Sequence, residues 1–290
     1  MRLTERDREI LNHIHRHRFL RSDHLTSLLP GSRQQVLRRL QRLYHHGYLE
    51  RPRCQIDYYH RSGSRSIAYG IGNKGTAVLK RELSLPHHRF DWQRKHAVER
   101  LFLEHALLVS EVMVALEKAC RNRSNVRLLT PDDATLPKNS AQNREPFQWT
   151  VNIGSRQKCG VIPDRVFGLE FTDKSRRKNR SWFSLEADRA TMPVMRGNLH
   201  QSSFYRKLLA YEATWKQNIH RFRFGWNRFR VLTVTTNPAR LATMQEAARS
   251  LKHGHGLFLF ADGATLSEQK DLFAFRWQTY REGQTAGLLD

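Results

Sequence analysis

Acidic residues are scarce in this chain: 27 Asp and Glu stand against 50 Lys and Arg in 290 residues, a formal charge of +23 at neutral pH. A compact state with that excess repels itself, a cost expected where a polyanion neutralises it on binding. Nucleic acid is the expected polyanion, although ribosomal and membrane-surface proteins share such a balance. Cysteine is also sparse. Cys54, Cys120 and Cys159 are odd in number and far apart, which excludes a disulfide framework or a zinc-ligand spacing and fits a reducing cytoplasm. No run approaches the roughly 18 apolar residues of a membrane span, so no membrane partner is expected. The opening MRLTERDREI is charged and lacks the apolar core of a secretory signal. There are no internal repeats.

What is present suits a globular chain, with 39% hydrophobic and 27% charged residues, and the length predicts two domains. Residues 1–86 read as a winged helix-turn-helix. Thr4 followed by Asp7 resembles an N-cap pair, and Ile10, Leu11 and Ile14 mark one apolar face. Ser22 caps a second helix that Pro30-Gly31 ends, and Ser32 caps a third from Arg33 to about His46, with Gly47 as its stop. In that third helix Val36, Leu37, Leu40, Leu43 and Tyr44 share a face, and Gln34, Gln35, Arg38, Arg39, Gln41, Arg42 and His45 share the other. It holds no acid, unlike an ordinary solvated helix, and Gln and Arg are the side chains that read adenine and guanine edges in a major groove. Short strands at 48–51 and 66–69 then flank a tip with Arg61 and Arg65, a wing able to touch backbone or minor groove.

Residues 87–97 form a polar link to a second domain, 98–290. A helix is predicted over 98–119, a loop or elaborated hairpin over 121–145, and strands near 147–153, 161–171 and 182–188. A helix over 200–217, a strand at 229–235, a helix over 238–252 and a strand at 257–260 follow. This order indicates an α/β sandwich with a mixed sheet.

Two segments there concentrate acids. In Trp182–Asp188, strand alternation puts Ser184, Glu186 and Asp188 on one side. Pairing this strand with Val161–Phe171 through a hairpin brings Asp164 close, and three converging carboxylates call for a hard cation, Mg²⁺ or Mn²⁺. The competing reading is an ion-pair network with Arg165 and Arg189.

The stretches TERDREILNHIHRHRFLRSDHL, IPDRVFGLEF, WFSLEADRATMP and SSFYRKLLAYEATW resemble the replication-relaxation family of plasmids and integrative elements. That family is similar to conjugative relaxases with a restriction-endonuclease-like PD-(D/E)xK core behind a winged helix. The resemblance implies a metal-dependent DNA-nicking site in which Asp164 and Glu186 match the two acids and Mg²⁺ or Mn²⁺ promotes in-line displacement. Where the pattern has lysine two residues after its acid, this chain has Asp188. Asp188 can serve as a third ligand but supplies no positive charge. Lys207, at the edge of the following helix's stripe of Phe204, Leu208, Tyr211 and Trp215, either substitutes for that lysine or is a snorkelling surface residue.

The turn holding Lys174, Arg176, Arg177, Lys178 and Arg180 reads as a phosphate clamp beside the acids. His220–Arg230 interleaves arginines with Phe222, Phe224, Trp226 and Phe229, a pattern for single-stranded nucleic acid or for a core strand. His253-Gly254-His255 is a poor match to the metal-binding histidine pair of another relaxase class. Together these features describe a cytoplasmic DNA-binding protein of a mobile element. Its expected role is strand-specific nicking at the start of plasmid transfer or replication, on double-stranded DNA and on single-stranded DNA at the nick, with relaxosome or replication partners. The alternative is a regulator or replication accessory with a degenerate nuclease domain.

Overall fold

The computed structural model describes residues 1–56, 66–83, 99–138, 145–154, 157–172 and 177–290. It divides into two compact units, Met1–Val114 and Ala115–Asp290. The division falls within the helix Arg100–Arg121 (α5), not at residues 87–97, which lie outside the described residues together with Arg61, Arg65, Lys174 and Arg176.

In the first unit, helix α1 (Glu5–His17) precedes a short strand β1 (Leu20–Arg21), α2 (Ser22–Leu28), α3 (Arg33–His45), β2 (Leu49–Glu50), β3 (Ala68–Ile71) and α4 (Asn73–Leu83). The strands form an antiparallel sheet in the order β1-β3-β2. Ser32 Oγ accepts the Gln35 N–H at the start of α3, and Gly47, at φ 76°, turns the chain out of its end. Val36, Leu40 and Leu43 of α3 pack with Ile10, Leu11, Ile14 and Leu25. Leu103, Ala106 and Leu107 of α5 pack with Phe19 and Ala68. The strand β1, absent from the sequence reading, is two residues long, too short to carry a period-two pattern.

α1 and α3 are joined by a buried ion pair. The backbone N–H and the hydroxyl of Thr4 donate to Asp7 Oδ2 at 2.7 and 2.9 Å, which completes the predicted cap. The guanidinium of Arg39 donates to both Asp7 oxygens. Asp7 is 0% exposed, so its charge persists only because these donors replace water. Arg39, expected on the open face of α3, is therefore occupied by α1.

The second unit is built on a seven-stranded sheet. After α5 come β4 (Val126–Leu129), β5 (Trp149–Ile153), β6 (Gln157–Val161), β7 (Arg165–Thr172) and β8 (Lys178–Asp188). Then follow α6 (Phe204–Lys216), α7 (Ile219–Phe222), β9 (Phe229–Thr235), α8 (Pro238–Arg249), β10 (Phe258–Asp262), α9 (Gly263–Ser267), β11 (Trp277–Gln278) and β12 (Thr285–Ala286). The sheet runs β12-β11-β10-β9-β8-β7-β4, with β5 and β6 as a separate antiparallel pair. β8, β9 and β10 are parallel, with α6 and α8 in the crossovers, and the other neighbours are antiparallel. Trp182, Val166, Val231, Phe258 and Phe260 form one core with Phe204, Leu208 and Tyr211 of α6, Met244 of α8 and the β5–β6 pair. Alternation sends Phe183 to the opposite face, where it stacks on Phe167 at 5.1 Å.

The mixed α/β architecture agrees with the element order of the sequence. Strand β4 lies in the stretch read as irregular, where four residues with one exposed position give little pattern. β11 and β12, two residues each, also escape periodicity.

Replacing Asp7 with Ala removes the cap and strands Arg39, which is expected to lower stability by about 3 kcal/mol, read as a fall in the urea midpoint. Burial pushes the Asp7 carboxyl up, but hydrogen bonds from Arg39 and Thr4 outweigh it and hold it below its ordinary 3.8. Its folded value is depressed, so its contribution is present above that pH and is lost as pH falls below it. Wild type and Asp7→Ala should therefore converge in stability on acidification; a constant gap would contradict this.

Candidate functional site

The β7–β8 register decides which acids meet. Arg165 pairs with Leu185 at one end and Thr172 with Lys178 at the other. Asp164, one residue before β7, thus stands across from Glu186, and its Oδ2 accepts the Ala187 N–H at 2.8 Å. β8 turns Trp182, Ser184, Glu186 and Asp188 toward the α6 face. Helix α6 starts at Ser203, whose Oγ accepts the Arg206 N–H, and it presents Lys207 and Tyr211, one turn apart, to Glu186.

Lys207 Nζ donates to Glu186 Oε2 at 2.6 Å, and the Tyr211 hydroxyl donates to Oε1 at 2.5 Å. Glu186 is 4% exposed. Burial pushes its pKa up, Lys207 pulls it back, and the Asp164 charge adds to the rise. For Lys207 burial acts downward, but the charges of Glu186 and Asp164 prevail and raise it. Tyr211 is driven well above its ordinary value by burial and by Glu186, which keeps it a neutral hydrogen-bond donor. Two carboxylates and an ammonium therefore act on one another at the carboxyl end of a parallel strand, where open α/β sheets place ligands.

Asp188 does not join them. Arg240 of α8 donates to both its oxygens, at 2.6 and 2.9 Å, and Thr235 Oγ1 and the Ala190 N–H also donate to Oδ2. Arg240 further holds the Met192 carbonyl. As a set, the three carboxylates do not bring ligand atoms within 4.8 Å of one another. Asp188 is a structural ion pair that anchors the loop after β8, and the arginine involved is Arg240. Asp164 and Glu186 are the two carboxylates that the β7–β8 register leaves side by side.

Of the basic run, Arg177, Lys178 and Arg180 lie among the described residues. β8 extends back to Lys178, so Lys178 and Arg180 lie in the strand. By the β7–β8 register Lys178 pairs with Thr172 at the end remote from the acids, about 27 Å from Glu186 at roughly 3.4 Å per residue. Arg177 and Lys178 are exposed, and Arg180 pairs with Glu170 at 2.6 Å. Lys178 and Arg180 therefore do not stand beside the acids. In α6, Trp215 is 42% exposed, unlike the rest of its predicted stripe. Phe224, Trp226 and Phe229 are buried in the core. His255 stacks on Tyr280 at 4.6 Å.

In the first unit, Gln34, Gln35, Arg38, Gln41, Arg42 and His45 are exposed along α3. Arg39 is the predicted contact that leaves this set. Tyr211 was missed as a site residue, because its place in an apolar stripe signals only burial.

A sequence model of the replication-relaxation family matches residues 11–226. The match takes in α3, both acids, Lys207 and Tyr211 and stops before Arg240. Comparison with curated proteins and with solved structures found no match. Among the described residues, no helix is long and apolar enough to cross a membrane.

Lys207→Met leaves the Glu186 charge without its cation and is expected to cost about 2–3 kcal/mol, discounted for the half-exposed lysine. Adding Glu186→Gln to that variant should restore most of the loss. Denaturation midpoints of the single and double variants check this, and equal losses in both would contradict the pairing.

Proposed function

Because the chain belongs to the replication-relaxation family, we propose that it is a DNA-binding protein of a mobile genetic element that nicks one strand to start transfer or replication. The first unit is read as a winged helix-turn-helix, with α3 entering the major groove and the β2–β3 hairpin as wing. On that reading Arg38 and Arg42 address guanine edges, and Gln34 and Gln35 address adenine. The second unit is read as a restriction-endonuclease-like core acting on double-stranded DNA in the cytoplasm.

Asp164 and Glu186 are the residues proposed to hold Mg²⁺ or Mn²⁺. The donor set fits, since magnesium sites commonly use one or two carboxylates and leave the remaining positions to water and phosphate. When bound, such an ion activates water and offsets charge on the phosphodiester. The Ala187 N–H orients Asp164, and Tyr211 fixes one oxygen of Glu186. Lys207 supplies the positive charge that the endonuclease pattern places two residues after its second acid, where this chain has Asp188.

The observation that carries the reading is the 2.6 Å approach of Lys207 to Glu186, a cation reaching the acid from the next helix. A second reading, a regulator or replication accessory without nuclease chemistry, is favoured by the same contact, because Lys207 already neutralises Glu186.

Supercoiled plasmid carrying the element's origin is expected to become open-circular with Mg²⁺ or Mn²⁺, and Glu186→Gln or Asp164→Asn to abolish this. A wild-type protein that binds the origin and never nicks it would establish the regulator reading instead. Arg38→Ala or Arg42→Ala should weaken origin binding by about 1–3 kcal/mol while leaving binding to unrelated duplex little changed.

A further inference from the structure

β8 and β9 begin at the end of the sheet away from the acids, and two cavities open there side by side. One, of about 250 Å³, is walled by Trp215, His220, Arg221, Arg230 and Asp290. The other, of about 480 Å³, has the exposed Lys178 and Arg180 at its rim and the buried Trp182, Phe224 and Trp226 beneath. Asn227 and Arg228 line both, so the two form one groove.

Its charge is left open. Lys178, Arg221 and Arg228 are exposed and have no ion-pair partner among the described residues. The acids nearby are engaged: Glu170 with Arg127 and Arg180, and Asp290 with Arg276 and the Gly287 N–H. Arg230 is held by the carbonyls of Gly287 and Asp290; burial pushes its pKa down, the Asp290 charge opposes this, and the neighbouring Arg228 adds to the fall. Five cations, Lys178, Arg180, Arg221, Arg228 and Arg230, thus line the cavities beside two acids, Glu170 and Asp290.

The lining also contains unsatisfied polar atoms. His220 and Trp226 are each at least 97% buried, yet His220 Nδ1 and Trp226 Nε1 lack a hydrogen-bond partner. Buried atoms of that kind are seldom left unpaired. Beside them Trp215, in the last turn of α6, and Phe222, 79% exposed, present aromatic surface next to arginines. Stacking faces interleaved with cations are how unpaired nucleic acid is held without sequence preference.

We infer that this groove binds an unpaired stretch of DNA strand, with a base against Trp215 and phosphates on Lys178, Arg221 and Arg228. Cavities of this size admit a nucleotide and exclude a base-paired helix. Ser181 of β8 lines the groove, and Glu186 lies five residues further along the same strand, about 17 Å at roughly 3.4 Å per residue. A strand whose phosphodiester lies at the acids reaches the groove within a few nucleotides. The inference rests on the DNA-handling reading of the protein and not on the acids being a nuclease centre.

Fluorescence anisotropy without divalent metal tests it, using labelled oligo(dT) of about 15 nucleotides, within the usual span of such sites, and a duplex of equal length. Arg221→Ala with Arg228→Ala, and separately Trp215→Ala, are expected to weaken oligo(dT) binding tenfold or more. Duplex binding should stay within twofold of wild type, and Arg38→Ala with Arg42→Ala should give the reverse pattern. Circular dichroism melting confirms that the variants fold. Variants that bind oligo(dT) as wild type does, or lose single strand and duplex in equal proportion, would overturn the groove alone. Wild-type protein that binds neither form overturns it together with the DNA reading.

Discussion

Burying the Glu186 carboxylate under a helix is the costly act around which the second unit is arranged. An unpaired charge there would cost several kcal/mol, so its partners have to arrive in good geometry. Both come from α6, one turn apart, and this sets the rotation of that helix on the sheet. Tyr211 then packs edge-on against Trp149 at 6.2 Å, and the Trp149 indole N–H donates to Thr214 Oγ1 of the same helix at 2.8 Å. The β5–β6 layer is thus tied through α6 to the acid. Asp164 adds a second negative charge at the same point.

The first unit uses the same device for another end. Asp7 is buried at the start of α1 and takes Arg39 from α3, leaving the rest of that helix's basic and amide side chains in solvent. In both units one buried acid fixes the seating of a helix. Exposed cations without an ion-pair partner among the described residues lie on α3, at Arg38 and Arg42, and in the groove at the start of β8 and β9, at Lys178, Arg221 and Arg228. Open surface charge of one sign serves association with a polyanion more than it serves folding.

Much of this was legible before the structure. The period of α3 separated Val36, Leu40 and Leu43 from Arg38 and Arg42, and the alternation in β8 put Glu186 and Ser184 on one face. The hairpin and its register brought Asp164 to Glu186. What escaped depended on partners distant in sequence. Asp188 looks like Glu186 until Arg240, 52 residues later, claims both its oxygens. Lys207 stayed ambiguous because helical spacing places it at an edge without saying which way it leans. Lys178 and Arg180 were read beside the acids because nearness along the chain was taken for nearness in space, whereas the register puts them at the other end of β8. β4 and the last two strands are too short for any period to register. The groove was hidden for a related reason, since its lining comes from segments far apart in the chain, from Thr135 to Asp290, and its aromatic residues read equally well as core.

The account centres on Asp164 and Glu186 as one oxygen-donor pair for a hard divalent ion. Titrating Mn²⁺ into wild-type protein and the Asp164→Asn variant, with free Mn²⁺ followed by electron paramagnetic resonance, addresses that pair without requiring turnover or DNA. One saturable Mn²⁺ per chain in wild type, lost in the variant while the fold is retained, is the predicted result. Identical titrations of the two proteins would contradict it.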